Sequence, residues 1–214
     1  MRQGPLADQY ASAIFRLLAG VSGRWNDICH TQINTMRITA KTIEFTAWQN
    51  KTTGINDANR PTPLIAPLHT FTAVRWWLVI EKVISMFKGH PSFQDMDYQL
   101  PVPTRDRSGF CPRPCSNGQA LRWLRLLRAR PNRPASEITR LTLASFRVWI
   151  ADLAYQANIE REKRRYIGRW AQESTADTYT REHRQVICNI WDEILTNMHN
   201  LKGCLLYTSD AADE

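Results

Sequence analysis

Residues Met36 to Trp48 read MRITAKTIEFTAW, and this stretch decides the fold class because it interrupts an otherwise helical pattern. Met36-Arg37-Ile38 and Thr42 to Trp48 are rich in β-branched and aromatic side chains, and a short link joins them. That composition is typical of two neighbouring strands. Leu64 to Pro67 is a candidate for a third, short strand beyond the polar loop. We therefore expect one small antiparallel sheet.

Helical spacing dominates on both sides of this sheet, because apolar side chains recur every three or four residues. The expected helices are Ala7 to Ala19, Phe71 to Phe87, Asn117 to Arg130, Thr142 to Ala157, Glu160 to Trp170 and Glu182 to Asn200. Pro91 to Pro114 holds five prolines and little periodicity, so we expect a surface loop there. The predicted fold class is mainly α with a small antiparallel β-sheet, an α+β protein.

Length and composition favour one domain with a real core. The chain has 214 residues, of which 43% are hydrophobic, which is enough for one sizeable domain and short for two. No run of about 18 apolar residues is present, so we predict no membrane-spanning helix. The N-terminus has no pattern of a secretory signal.

The last eleven residues, Cys204 to Glu214, read CLLYTSDAADE and resemble the translation of a sequencing-library adapter. We expect a single domain over residues 1–203 and a non-native tail over 204–214. The tail holds three acids, so without it 28 basic residues face 17 acids and the net charge rises from +8 to +11. That charge favours a polyanionic partner.

The remaining cysteines are scattered along the chain, at Cys29, Cys111, Cys115 and Cys188. This pattern indicates reduced thiols in an intracellular protein of the cytoplasm or nucleus. The CPRPC stretch from Cys111 to Cys115 has no second cysteine pair and no histidine nearby, which argues against a metal site.

Four stretches carry residues suited to phosphate chemistry. They read GVSGRWNDI (20–28), WQNKTTG (48–54), LTLASFRVWIADL (141–153) and YIGRWAQESTADTYTREHR (166–184). Each alone has an ordinary structural interpretation, such as an exposed arginine, a solvated lysine or a buried tyrosine. Their order and spacing together resemble the catalytic domain of the tyrosine recombinase (phage integrase) family, over roughly Leu6 to Lys202.

The resemblance assigns roles to the first two stretches. Arg24 matches the family's first catalytic arginine, and Asp27, three residues later, matches its supporting carboxylate. Lys51 fits the lysine that protonates the leaving 5′ oxygen from a loop between two strands, and Lys41 is a weaker competitor for that role.

The third stretch matches a family motif in which a histidine stands three residues before an arginine. Arg147 occupies the arginine position. Ala144 stands where the histidine is expected, and the neighbouring Ser145 is no obvious substitute. This departure removes the residue that would help to move the proton of the nucleophile.

The fourth stretch resembles the block that ends in the family's nucleophilic tyrosine. Gly168 matches a family glycine, and Arg169 is the supporting residue beside it. Trp170 lies nine residues before Tyr179, at the family's His or Trp position. The resemblance makes Tyr179 the nucleophile, and the catalytic set becomes Arg24, Lys51, Arg147, Trp170 and Tyr179.

These residue types suit attack on a phosphodiester. A phenol has a pKa near 10 and needs cations and a proton acceptor close by. Two guanidiniums can each hold non-bridging oxygens through paired hydrogen bonds, and a lysine can protonate the departing oxygen. The implied product is a 3′-phosphotyrosine link, and the implied chemistry needs no metal and no nucleotide cofactor.

Basic residues support double-stranded DNA as the partner. Nine arginines lie between Pro103 and Arg140, against two acids. Four of them are candidate DNA-binding residues that suit phosphate contacts, namely Arg122, Arg125, Arg128 and Arg140. A solvated helix face is the alternative interpretation of this arginine row.

Three functional hypotheses follow. The first is a DNA breaking-and-rejoining enzyme that acts as a homo-oligomer on DNA, in a chain whose N-terminal core-binding domain is missing. The second is a catalytically impaired relative that only binds DNA, motivated by Ala144. The third is a basic helical scaffold unrelated to DNA. The final helix could pack on its own domain or on a neighbouring protomer.

Overall fold

The computed structural model describes residues 4–48, 62–69, 74–129, 134–168 and 183–209. The described residues are mainly helical, and their strands are antiparallel. The predicted fold class is confirmed at this level. The α-helices in these ranges are α1 (Leu6–Gly20), α2 (Trp25–Cys29), α3 (Trp77–Lys88), α4 (Asn117–Arg128), α5 (Ala135–Arg140), α6 (Ser145–Gln156), α7 (Arg161–Ile167) and α8 (His183–Ser209).

The predicted sheet is present and has the strand order β1-β2-β3. Its strands are β1 (Arg37–Ile38), β2 (Thr42–Ala47) and β3 (Thr62–Pro67). Every second residue of β2 is buried, including Ile43, Phe45 and Ala47, so the strand covers the core with one face.

A second pair of strands, β4 (Pro101–Pro103) and β5 (Phe110–Pro114), lies where the sequence predicted a loop. The loop was predicted from the prolines, and this prediction was wrong because both strands of a two-stranded sheet are edge strands. A proline is tolerated there when the ladder does not need its missing N–H. The pair is closed by other donors, since Thr104 N–H bonds to the Gly109 carbonyl and Cys115 N–H to the Leu100 carbonyl.

The helices start and end close to the predicted positions, with three kinds of exception. α8 continues to Ser209, nine residues beyond its predicted end at Asn200 and into the predicted non-native tail. α2 and α5 were not predicted, because helices of five and six residues are too short to show periodicity. α3 begins at Trp77, later than expected. The indole of Trp76 donates to the Leu68 carbonyl at 3.0 Å and is buried, which ties the chain before the helix to the end of β3. No helix in the described ranges is long and apolar enough to cross a membrane.

Helix α1 lies at the centre of the main core and contacts α3, α4, α6 and β3. Its C-terminal residue, Gly20, sits against the sheet: a Cβ at that position would be 2.8 Å from the Cβ of Ala66. Glycine is therefore required for this close approach of helix and strand. The contact holds the chain that follows α1 beside the three-stranded sheet.

The last helix, α8, packs on its own domain. Ile187, Ile190, Trp191 and Ile194 are buried in a second cluster with residues of α6 and α7 and with Ile65 of β3. Two polar contacts from the later part of α8 reinforce this docking, Lys163 to Glu193 at 2.8 Å and Asn197 to the Ala157 carbonyl at 2.8 Å. Of the two arrangements that the sequence left open, the structure contains the one within the same chain.

Candidate functional site

Arg24 lies at the start of α2, and Asp27 fixes its backbone. The Arg24 N–H donates to Oδ2 of Asp27 at 2.9 Å, and the Asp27 N–H donates to the Arg24 carbonyl at 3.0 Å. Asp27 is 4% exposed, whereas Arg24 is half-buried. A buried carboxylate is stable only where donors satisfy it. The Arg-x-x-acid spacing therefore builds a rigid helix start that carries Arg24.

The turn before Arg24 has a strained backbone. Ser22 has a φ of 48°, a left-handed backbone conformation that is unfavourable for any residue with a Cβ. Ser22 is also buried, and its hydroxyl has no hydrogen-bond partner among the described residues. Such strain persists only where the surroundings impose it, and it is common at functional sites. The strained backbone at Ser22 therefore indicates that the surrounding core fixes the conformation of the Gly20–Arg24 turn.

Phe15 of α1 joins the first and third motifs. Its ring lies 6.3 Å from that of Trp25 and stacks on that of Phe146 at 5.9 Å with an interplanar angle of 13°. Trp25 follows Arg24 in the chain, and Phe146 precedes Arg147. The two predicted catalytic arginines are therefore each one residue away from a ring that packs on Phe15. Phe15 carried no signal in the sequence beyond the apolar face of its helix.

Arg147 joins the third motif to the fourth. Its Nη2 donates to the backbone carbonyl of Gly168 at 2.6 Å. Arg147 is half-buried on α6, and Gly168 is buried at the end of α7. A charge-assisted bond of this length is strong, so it fixes both the guanidinium and the point at which the chain leaves α7.

The position expected to hold a histidine lies at the start of α6. Ala144 is exposed there and provides no proton acceptor. Ser145 does not replace it, because its hydroxyl accepts from the Thr142 N–H at 3.0 Å and lies 3.2 Å from the Thr142 hydroxyl. Ser145 therefore serves the start of the helix.

Lys51, Arg169, Trp170 and Tyr179 lie outside the described residues. The chain on both sides of Lys51 is described: β2 ends at Ala47 and β3 begins opposite it at Thr62. This end of the hairpin is held next to α2, since Ala47 pairs with Thr31 and the Trp48 N–H bonds to the His30 carbonyl at 3.0 Å.

Lys41, the competing lysine, lies at the opposite end of the sheet. It precedes β2, and its carbonyl accepts from the Leu68 N–H just beyond the end of β3. Lys41 is therefore at the end of the sheet away from α2.

The arginine row divides into exposed side chains and one that serves the fold. Arg122, Arg128 and Arg140 are exposed. Arg125 donates to the Thr139 carbonyl at 2.7 Å and to the Leu141 carbonyl at 3.1 Å, so it holds the end of α5 against α4.

A further arginine, Arg16 of α1, lies close enough to Arg128 for the two positive charges to interact. Burial, and then the positive charge of Arg128, lower the pKa of the Arg16 guanidinium. Periodicity did not single out Arg16, because only packing of α1 beside α4 brings the two charges together.

The described residues contain no group of three or more metal-ligating side chains. Burial raises the pKa of the Cys29 thiol to about 12 and that of the Cys115 thiol to about 11. Both therefore stay protonated at neutral pH, and protonated thiols are weak nucleophiles.

No family model matches the chain, and neither a curated protein nor a solved structure matches it. Functional interpretation therefore depends on the geometry and chemistry of the residues themselves.

Proposed function

We propose that this chain is the catalytic domain of a site-specific DNA recombinase that cuts and rejoins strands of double-stranded DNA through Tyr179. The observation that carries the proposal is the meeting of three motifs that are distant in the sequence. Trp25 and Phe146, the chain neighbours of Arg24 and Arg147, both pack on Phe15. Arg147 contacts Gly168, which precedes the stretch with Tyr179. Order along the chain alone does not require this convergence.

In the proposed reaction, the phenol of Tyr179 gives its proton to solvent water, because Ala144 provides no acceptor, and the phenolate oxygen attacks the scissile phosphorus. A P–O bond to tyrosine forms and the P–O5′ bond breaks, so the phosphodiester is exchanged without hydrolysis. Arg24 and Arg147 hold the non-bridging oxygens, where charge accumulates. Lys51 gives a proton to the departing 5′ oxygen.

DNA binding in this proposal uses the exposed basic surface. Arg122, Arg128 and Arg140 contact phosphates, and Arg125 supports them by holding α5 against α4. Several protomers act together on one DNA, since rejoining to a new partner requires two broken strands. Affinity should then fall steeply with salt as counterions return to the DNA.

A nicked suicide substrate tests the proposal, because loss of a short 5′ fragment traps the covalent protein–DNA adduct. Wild type is expected to yield an adduct that survives denaturing electrophoresis, and Tyr179→Phe is expected to yield none while it still shifts duplex DNA. If wild type shifts DNA but yields no adduct, the enzymatic proposal fails.

A second candidate function is a DNA-binding relative that has lost catalysis. The specific observation in its favour is Ala144, exposed at the position that should carry an imidazole. Ala144→His separates the two candidates further. A faster adduct in this variant indicates an active site that lacks only its proton acceptor, whereas no adduct in either form favours binding alone.

A further inference from the structure

Glu44 of β2 and Arg184 of α8 form a two-pronged ion pair between elements 140 residues apart in sequence. Nε of Arg184 bonds to Oε1 of Glu44, and Nη2 bonds to Oε2 at 2.6 Å. The hydroxyl of Thr42 also donates to Oε1 at 2.5 Å. Planar pairing of this kind fixes direction as well as distance.

This ion pair lies on one side of the stretch that carries Tyr179, and the bond from Arg147 to Gly168 lies on the other. Arg184 lies five residues after Tyr179, and Gly168 lies eleven residues before it. Gly168 is held by Arg147, and Arg184 is held by Glu44. Guanidinium contacts therefore anchor the described chain on both sides of the stretch that carries Tyr179.

Stability alone does not account for the pair. The side chain of Arg184 is 53% exposed, and exposed ion pairs contribute little to folding. Docking of α8 already has a buried apolar face, formed by Ile187, Ile190, Trp191 and Ile194. Glu44 itself is only 15% exposed, so its carboxylate is committed to a specific partner geometry.

We propose that Glu44 is a positioning residue, which acts through Arg184 to hold the start of α8 in the register that the attack by Tyr179 requires. This inference rests on the proposed function. Glu44 touches no reacting atom in this scheme. Its loss should slow formation of the P–O bond to Tyr179 without weakening the binding of DNA.

The chain contains a matched control on the same helix. Lys163 and Glu193 form a one-pronged ion pair of 2.8 Å between α7 and α8, nine residues further along α8 than Arg184. If ion pairs act only by docking α8, then Glu193→Gln and Glu44→Gln should have similar effects. If the register near Tyr179 matters, only Glu44→Gln should slow the covalent step.

The experiment measures the single-turnover rate of adduct formation at saturating suicide substrate, together with duplex affinity and thermal midpoint. We expect Glu44→Gln and Arg184→Met to slow the adduct by about tenfold, within the roughly hundredfold cost of an ångström-scale misplacement. Arg184→Lys should recover part of the rate, and the double variant Glu44→Gln/Arg184→Met should be no slower than either single variant. Duplex affinity should match that of Glu193→Gln. The adduct rate is measured well below the thermal midpoint of every variant, so that the stability lost with the Glu44 carboxylate does not affect it.

Other outcomes refute either the proposed function or the positioning role of Glu44. Absence of any adduct with wild type refutes the proposed function itself. Equal rates for Glu44→Gln, Glu193→Gln and wild type refute the positioning role and leave the proposed function intact. Slowing by Arg184→Met alone, with weaker duplex binding, makes Arg184 a DNA contact and also refutes the positioning role.

Discussion

Arg147 donates a 2.6 Å hydrogen bond from Nη2 to the backbone carbonyl of Gly168, which ties the end of α7 to the face of α6. A lysine at position 147 has a single point charge and cannot bond the carbonyl and a phosphate in the same planar arrangement. The bond therefore makes Arg147 both a structural and a chemical element of the candidate site.

Arg147→Lys should reduce the rate of covalent adduct formation by about 10² to 10³-fold, the usual cost of losing one preorganised donor. Duplex affinity should change far less, because one phosphate contact among many is lost. Single-turnover assays with the suicide substrate and gel-shift titrations measure the two quantities. Arg113→Lys, on the exposed part of β5, is the control and should leave both unchanged. Equal losses in both variants contradict the assignment.

Phe15→Leu should lower the adduct rate more than a matched core substitution does. Phe15 and Phe87 are each 3% exposed, and each stacks on another phenylalanine. Both substitutions to leucine should cost about 1 to 3 kcal/mol of unfolding free energy, as a smaller side chain leaves a space. Only Phe15 separates the rings next to Arg24 and Arg147, so only its replacement should also disturb the arginine spacing.

Urea denaturation and adduct rates on Phe15→Leu and Phe87→Leu check this expectation. Similar losses of stability with a rate at least severalfold lower for Phe15→Leu support it. A rate that simply follows stability in both variants would show that Phe15 is an ordinary core residue.

Local chemistry explains why much of the fold could be predicted from the sequence. β-branched alternation from Met36 to Trp48 depends on neighbouring residues only, and the strands lie there. The β4–β5 pair was missed because its prolines mimic a loop, although an edge strand tolerates them. Proline content therefore misleads where a sheet has only edges.

Prediction of the candidate site stopped where contacts became long-range. Arg24 and Asp27 are three residues apart, so their pairing was readable from the spacing alone. The bonds from Arg147 to Gly168 and from Arg184 to Glu44 join residues 21 and 140 positions apart. Such contacts depend on how helices pack, which periodicity does not specify.

Arg125 also makes contacts that periodicity did not indicate. Its place in a regular arginine row indicated a phosphate contact, as for Arg122 and Arg128. In the fold its guanidinium bonds to the backbone carbonyls of Thr139 and Leu141. A helix row identifies which side chains share a face, and the chain that packs against that face decides which of them remain exposed.

Ser22→Gly should stabilise the protein. The backbone of Ser22 has a φ of 48°, which costs about 1 to 2 kcal/mol for a residue with a Cβ. Removal of its buried hydroxyl also removes the cost of burying an unpaired polar group. These gains exceed the loss of about 0.5 to 1 kcal/mol that comes from the greater freedom of glycine in the unfolded chain. The urea midpoint should therefore rise. Ser22→Ala, which keeps the Cβ, should lie between wild type and Ser22→Gly, and a lower midpoint for Ser22→Gly would refute the strain.

Glu44 should give the protein a stability component that is lost in acid. Burial alone would raise the pKa of its carboxyl. The hydrogen bonds from Arg184 and Thr42 together lower the pKa by more than burial raises it, so the net shift is downward. A lowered folded-state pKa stabilises the protein above the unfolded value of about 4.3 and ceases to do so as pH falls through the folded value. The difference in urea midpoint between wild type and Glu44→Gln should thus be constant near pH 7 and shrink below about pH 4. A difference that grows in acid would contradict the sign of the shift.

Gly20→Ala should destabilise the contact between α1 and β3, and a second substitution should relieve it. A Cβ at position 20 would lie 2.8 Å from the Cβ of Ala66, closer than two carbon atoms can approach without a shift of the backbone. The expected cost is about 1 to 3 kcal/mol. Ala66→Gly removes the opposing carbon, so Gly20→Ala/Ala66→Gly should be more stable than the sum of the single losses predicts, because neighbours in contact are not additive. Urea denaturation of the four forms measures the coupling, and strict additivity would show that helix and strand do not meet at these two residues.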